Sequence, residues 1–522
     1  MIYIFYGVSG VGKTTLGKAW AKELSLPFFD ADDFHPASNK DKMRSGQALT
    51  DKDRWPWLAE LKAAFPHWEK EGGAVLACSA LKEKYRSFLL RGQPIPLHFI
   101  LLDASKAIIS ERMKERNHFM PIALLDSQFD ALEKATYGST LNVENSIEKN
   151  ISQLKKKIEN KAEIGLFGLG VMGKNLALNI AENNFKIATY NRHVEGSEEH
   201  IAQQLAADYP DLPFSPTATV EEFIEAIARP RKIILMIPAG KTIDLVLDQL
   251  TPFLDPGDII MDGGNSHFED SIRRTKSLET QHLHFYGIGI SGGAKGARKG
   301  PALMPSGAKD IYPQIAPILD RIAAKDTHGN SCSGWIGKAG SGHFVKMIHN
   351  GIEYGEMQLI AELYHALRFH ANKTVDEIAL LFETWQKTNS ASYLLDISAK
   401  ILRTQENGIA LIDLILDKAG NKGTGNWSAK AAFELGVPFS VGSAALQARF
   451  ISAFKAERIK ASKLLTLSKG NVNFELSQLQ HSYQMARIIN HAQGLKVLQQ
   501  ASETYHWELN LAETTRIWTN GC

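Results

Sequence analysis

The sequence predicts two successive α/β units followed by an all-helical domain, an α/β class with parallel sheets. Three observations carry this. A short apolar strand runs into a glycine loop and a helix at the start, the same pattern begins again at Glu163, and strand signals vanish beyond about Ser341. At 522 residues the chain exceeds what one core accommodates, which agrees with two or three domains. The expected boundaries are 1–150 for the first unit, 151–162 for a linker, 163–338 for the second unit and 339–522 for the helical domain.

The first unit alternates the apolar runs IYIFYG, PFFDADD, AVLACSA, LHFILLD and TLNVEN with amphipathic stretches, as a parallel sheet with crossover helices requires. IEKNISQLKKKIENK then reads as a polar helix whose lysines 155–157 form a solvated face near a domain boundary. In the second unit EIGLFGLGVMGKNLALNIAE opens the series, and KIATYNR, KIILMIPA, DIIMDGG and HFYGIGIS are buried strands. Helical periodicity dominates afterwards, as in MQLIAELYHALRFHA.

Composition narrows the partners. A net charge of +2 lacks the basic excess of a polynucleotide binder, so no nucleic acid is expected and anions must be held by local sites. The three cysteines, Cys78, Cys332 and Cys522, have no metal-ligand spacing and suit a reducing compartment. No apolar run nears the ~20 residues that span a bilayer, and no basic n-region precedes the first strand. A cytoplasmic protein without a membrane partner is the expectation.

Residues 7–14 read GVSGVGKT, a phosphate loop between a strand and a helix. Backbone amides at Gly7, Gly10 and Gly12 wrap phosphate oxygens at the positive helix end. Lys13 reaches the β- and γ-phosphates of ATP, and Thr14 holds Mg²⁺ through its hydroxyl. Beyond the loop, FFDADDFHPASNKDKMRSGQALTDKDRWPWL, CSALKEKYRSFL and ERMKERNHFMPIALLDSQFDALE resemble the gluconokinase family over nearly all of residues 1–145. Adenylate and shikimate kinases are expected to lack the DADDFHP and CSALK strings. The resemblance implies a P-loop kinase domain acting on gluconate. Asp32, after the second strand, becomes the general base or metal-linked orienter of the acceptor hydroxyl. His35, Arg54, Lys82 and Arg86 are expected at the polyol and carboxylate, with Arg116 and His118 in a basic lid over the phosphates.

Gly168, Gly170 and Gly173 form G-x-G-x-x-G between strand and helix, a Rossmann-type signature. About twenty residues on, where an NAD enzyme places a carboxylate on the ribose, stand Asn191, Arg192 and His193. Arg192 pairs with a 2′-phosphate bidentately, so NADP is preferred over NAD. Glu195 is the residue most able to upset that preference.

Lys346, His349, Asn350 and Glu353 fall at i, i+3, i+4 and i+7, one face of a helix whose body is apolar and whose ends carry glycines. That helix, with DGGNS (262–266), SGGAKGARKGPALMPSG (291–307) and NKGTGNW (421–427), resembles 6-phosphogluconate dehydrogenase across residues 163–522. The resemblance implies oxidation at C3, loss of CO₂ and protonation of the enediol. Lys346 would be the base and then the acid at the C3 oxygen, a double role that asks for a lysine of lowered pKa. Glu353 would protonate C1. Asn265, Ser291, Gly292, Gly293, His349, Asn350 and Tyr354 would orient the substrate, Lys422 and Arg449 would bind its phosphate, and Asn265 would also border the cofactor. A homodimer through this part is expected.

The chain departs from that family at Ala294 and Lys295, where Glu-Glu is usual, and at Asn426 and Pro238, where lysines are common. The sequence given ends at Cys522, ahead of the helices and the tail that in relatives supplies an Arg and a His to the phosphate of the neighbouring subunit. The resemblances together imply a bifunctional enzyme taking gluconate to 6-phosphogluconate and on to ribulose 5-phosphate, CO₂ and NADPH. The alternative is an active kinase with an impaired, metabolite-binding dehydrogenase module.

Overall fold

The computed structural model describes all residues except 46, 48, 91–94, 96, 116–124, 136, 160, 421–422 and 466–474, and omits the side chains of 43, 44, 115, 157 and 159. Five parallel strands form the first sheet: β1 (Ile2–Tyr6), β2 (Phe28–Asp30), β3 (Ala74–Ala77), β4 (Leu97–Asp103) and β5 (Ser139–Asn142), in the order β2-β3-β1-β4-β5. β1, β3 and most of β4 are buried on both faces, as their continuous apolar runs require. The order places β1 beside both β3 and β4, so the loop leaving β1 opens where the connections diverge to opposite sides. Helix α1 (Lys13–Leu24) follows that loop, and α2 (Asp51–Lys70) and α3 (Leu125–Ala131) frame the same end of the sheet. The helix Ile147–Glu159 belongs to this core, since Leu154 is buried beside Trp20 and Lys155 pairs with Glu23 at 2.5 Å.

The second sheet has seven strands: β6 (Ile164–Phe167), β7 (Ile187–Tyr190), β8 (Phe214–Pro216), β9 (Lys232–Leu235), β10 (Ile259–Asp262), β11 (His284–Ser291) and β12 (Ala302–Ser306). Their order is β12-β11-β10-β9-β6-β7-β8, parallel throughout except for β11 with β12. β8 and β12 are the two edges, and each carries a proline that a central strand would not tolerate. Helices α4 (Val171–Glu182) and α5 (Phe268–Glu279) cover the sheet.

The third part is built around α6 (Ser341–His365), whose first half is buried on nearly every side. Around it pack α7 (Thr424–Glu434), α8 (Ser440–Ala453), α9 (Leu476–Tyr505) and α10 (Leu511–Ile517). One hairpin, Gln405–Glu406 with Ile409–Ala410, interrupts the helices. One close approach is at Gly355, where a Cβ would lie 2.3 Å from the amide oxygen of Asn490; Asn490 Nδ2 donates to the Ile352 carbonyl at 2.8 Å. Among the described residues no helix is long and apolar enough to cross a membrane, and no cluster of metal ligands occurs.

Candidate active sites

The loop after β1 closes into a cradle because Gly10 (φ 77°) and Gly12 (φ 102°) adopt left-handed backbone. Gly12 caps α1, and nothing lies within 4 Å of the position its Cβ would take, so an anion can approach the helix end there. Lys13 folds back, its ammonium donating to the carbonyls of Gly7 (3.1 Å) and Val8 (3.0 Å). Burial lowers its pKa, against the pull of Asp32, Cys78 and Asp30. The Thr14 hydroxyl donates to Asp30 Oδ2 at 3.0 Å. These residues suit a Mg-nucleotide, with Asp30 as the carboxylate partner that the sequence reading passed over in favour of Asp32. Gln128 on α3 clasps the loop as well, accepting from the Ser9 amide (2.7 Å) and donating to the Ser9 hydroxyl (3.1 Å).

Lys13 borders a cleft of about 450 Å³ that also takes in Asp30, Asp32, His35, Arg54, Lys82, Tyr85 and Gln128. Its size fits a sugar acid. Asp32 projects into water at the end of β2, with the His35 ring 3.9 Å away. His35 is buried, stacked on Trp57 at 4.3 Å, and burial with Arg54 and Lys40 nearby lowers its pKa to about 4. It is therefore neutral at pH 7 and forms no ion pair with Asp32. Arg54 lies over the Tyr85 ring at 5.4 Å, and its buried Nε has no hydrogen-bond partner among the described residues. Lys82 sits 3.6 Å from Asp51, whose carboxyl is held at about 2, chiefly by hydrogen bonds from Lys84 and Tyr85.

Arg86 requires a correction. It is fully buried and is absent from the cleft. Its guanidinium donates to the carbonyls of Ala80, Leu81 and Glu133 and to Glu83, so it fastens the loop after β3. An arginine in CSALKEKYR looks like a ligand in sequence, yet it lies one helical turn beyond Lys82 and points inward. Arg116 and His118 lie outside the described residues.

At the second glycine loop Gly168 has φ 98°, and a Cβ at Gly173 would lie 1.9 Å from the Gly168 carbonyl. Gly170 faces open space, which leaves room for a pyrophosphate over α4. Asn191 Oδ1 accepts from the Leu169 amide at 2.8 Å, tying the end of β7 to the loop. Arg192 is exposed and meets Glu198 (Nη2–Oε1 2.8 Å, Nε–Oε2 3.2 Å), so the carboxylate that engages it is Glu198 rather than Glu195. His193 is exposed beside His200. These residues fit a dinucleotide carrying a 2′-phosphate.

The third constellation is assembled by α6 crossing β11. Gly287 and Gly289 give it room: a Cβ on the first would strike the His343 ring at 2.7 Å, and one on the second would strike Lys346 Cβ at 2.5 Å. Lys346 is buried and donates to Ser291 Oγ at 2.9 Å. Burial lowers its pKa, with Glu353 and Cys522 pulling the other way. Glu353 is partly buried, and burial raises its carboxyl against the pull of Lys346. His349 Nδ1 lies 3.5 Å from Glu353, and burial, reinforced by Lys346, keeps its ring well below the ordinary range and neutral. Asn350 faces Thr424 at 3.4 Å. Arg449 lies over the Tyr354 ring, its Cζ 3.7 Å from the centroid, and donates to the Gly420 carbonyl. Gly292 (φ 106°) and Gly293 (φ 58°) shape the turn after Ser291. The buried Asp262 organises the DGGNS turn through Gly264 N and Ser266 Oγ, which leaves Asn265 exposed. Lys422 lies outside the described residues.

One residue of this site was missed. His343 joins the Asp262 carbonyl (3.1 Å) to Ser271 Oγ (2.7 Å) and so locks α6 to the DGGNS turn. The alternating glycines of GIGIS were its sequence signal, because a strand without side chains on one face invites a close helix.

Three family models match successive parts of the chain. Residues 163–337 match the model for the NAD binding domain of 6-phosphogluconate dehydrogenase, residues 342–522 match that for its C-terminal domain, and residues 9–162 match the shikimate kinase model. A 6-phosphogluconate dehydrogenase, decarboxylating, of Salmonella typhimurium is 44% identical over 367 residues, which is 69% of this chain and 77% of the relative. A Plasmodium falciparum 6-phosphogluconate dehydrogenase, solved in its apo form and in complexes with NADP⁺ and 6-phosphogluconate, is 40% identical with a TM-score of 0.65. It covers 69% of this chain, which covers 78% of it. A Sinorhizobium meliloti gluconokinase structure is 36% identical, spans 29% of this chain and 87% of its own, and has a TM-score of 0.27. With its dinucleotide loop, its α6 packed on β11 and this identity together, the chain belongs to the 6-phosphogluconate dehydrogenase family, joined at its amino-terminal side to a kinase-like domain.

Proposed function

We propose that the chain phosphorylates gluconate with ATP and oxidatively decarboxylates the resulting 6-phosphogluconate with NADP, giving ribulose 5-phosphate, CO₂ and NADPH. The observation that supports the dehydrogenase half is buried Lys346, bonded to Ser291 Oγ at 2.9 Å, on the same face of α6 as the partly buried Glu353, with burial moving their proton affinities toward one another. A base that becomes an acid, and an acid that donates to carbon, need groups displaced in those directions.

Bound NADP supplies the two-electron sink. Lys346 Nζ takes the proton of the C3 hydroxyl, and the resulting ammonium donates to the C3 carbonyl oxygen, drawing electrons from the C1–C2 bond as CO₂ leaves. Glu353 then delivers its proton to C1 of the enediol, the former C2 of the acid, while Lys346 takes back the proton of the adjacent hydroxyl as the ketone forms. Ser291 holds the lysine and receives its hydrogen bond until substrate arrives. Arg449, braced on Tyr354, is the phosphate ligand within the described residues. At the kinase site Asp32 orients the acceptor hydroxyl, and Lys13 transfers its hydrogen bonds from the loop carbonyls to the phosphates. His35, Arg54 and Lys82 line the acceptor end.

The helical part exposes the apolar side chains of Phe433, Phe450, Ile451 and Phe454, together with Met485 and Ile488 on α9. This supports a homodimer through the dehydrogenase part, testable by sedimentation equilibrium: a dimer mass is expected, and a monomer at all concentrations would oppose it. For the activities, ADP release is measured with gluconate, and NADPH formation with 6-phosphogluconate supplied directly. Both are expected; absence of either removes that half of the reading.

A further inference from the structure

Arg192 stands at the end of β7 with its side chain 69% exposed, where an unsupported arginine would wander over many rotamers. The chain just beyond it prevents this. Val194 and Glu198 exchange backbone hydrogen bonds (3.1 and 2.8 Å) around a turn with Gly196 at φ 77°, and this returns Glu198 to the guanidinium. Glu198 Oε1 accepts from Nη2 at 2.8 Å and Oε2 from Nε at 3.2 Å. Oε2 also accepts from Asn191 Nδ2 at 3.0 Å, and Asn191 Oδ1 accepts from the Leu169 amide of the glycine loop. One continuous chain of hydrogen bonds therefore runs from the dinucleotide loop to Arg192.

We propose that Glu198 is a positioning residue that sets the coenzyme preference: it holds the Nε edge of Arg192 and leaves the Nη1 side to pair with a 2′-phosphate. The inference rests on the reading of Arg192 as the 2′-phosphate ligand. The carboxylate adds a negative charge within a Debye length of that phosphate, but both are in solvent, whose high dielectric weakens the repulsion. Ordering a four-torsion side chain in advance offsets a repulsion so weakened. The oxygens of Glu198 are already taken by Arg192 and Asn191, so it does not act as the ribose carboxylate of an NAD enzyme.

The test is the affinity of the full chain for 2′,5′-ADP and for 5′-AMP, in wild type, Glu198→Ala and Glu198→Gln. Loss of one exposed ion pair should weaken 2′,5′-ADP binding about three- to fivefold in Glu198→Ala and leave 5′-AMP unmoved. Glu198→Gln, which retains an acceptor oxygen, should fall between. Unchanged or tighter 2′,5′-ADP binding in Glu198→Ala overturns the inference, as does equal weakening of both ligands, which would mean a collapsed loop. A wild type that does not distinguish the two ligands overturns the NADP reading, and this inference with it.

Discussion

Lys346 and Glu353 lie two helical turns apart on α6, and each alters the other's proton affinity. Glu353 raises the pKa of Lys346, so Glu353→Gln should let the lysine fall further. The residual NADPH formation of that variant is expected to be about 10²- to 10⁴-fold slower, with its acid limb displaced to lower pH. A pH profile of kcat/KM checks this; an unmoved limb would speak against the coupling. His35 gives a stability prediction. Its folded pKa of about 4 lies below the ordinary 6.5, so the unfolded chain binds more protons between those values. The stabilisation is complete above about pH 6.5 and is lost as pH falls toward 4, on the order of 3 kcal/mol from one group. Urea unfolding of the first unit against pH should show this slope, and His35→Gln should flatten it. At this scale the sequence was informative where residue type and helical spacing agreed, as along α6. It failed at Arg86 and Glu198, because the direction of a side chain depends on a turn whose geometry no spacing encodes.

The crossing of α6 over β11 is the element on which the dehydrogenase site depends. Gly289→Ala would set a methyl group 2.5 Å from Lys346 Cβ and 2.9 Å from the Gly342 carbonyl. The helix must then move or the strand must bend, at about 1–3 kcal/mol. A shift of ~1 Å at Lys346 should cost about 10²-fold in NADPH formation. Steady-state rates with 6-phosphogluconate check this, with ADP release from gluconate as the control for overall folding. Central strands were readable from their continuous apolar runs. The edges β8 and β12 were not, since three to five residues ending in or containing proline carry almost no strand signal. The close packing of α6 was written in GIGIS, but only a structure shows which helix fills that space.

For the whole molecule, the two α/β units have separate sheets, and the kinase cleft is lined by residues of the first alone, so a change at one set of chemical groups should leave the other set working. Lys13→Met is expected to abolish ADP formation while NADPH formation from 6-phosphogluconate persists, and Lys346→Met to do the reverse. Assaying both activities on each variant checks the division. That division was legible from the second strand-glycine-helix at Glu163. How firmly the helix Ile147–Glu159 joins the first core was not, because its lysine run masks the buried Leu154 and Asn150.

The most direct test supplies gluconate, ATP, Mg²⁺ and NADP to the full chain and follows NADPH by absorbance. NADPH should appear only when ATP and gluconate are both present, and should vanish in Lys13→Met and in Lys346→Met. 6-Phosphogluconate should restore it in the first variant and not in the second. No NADPH from wild type even with 6-phosphogluconate supplied, or ADP release indifferent to gluconate, would contradict the two-step reading.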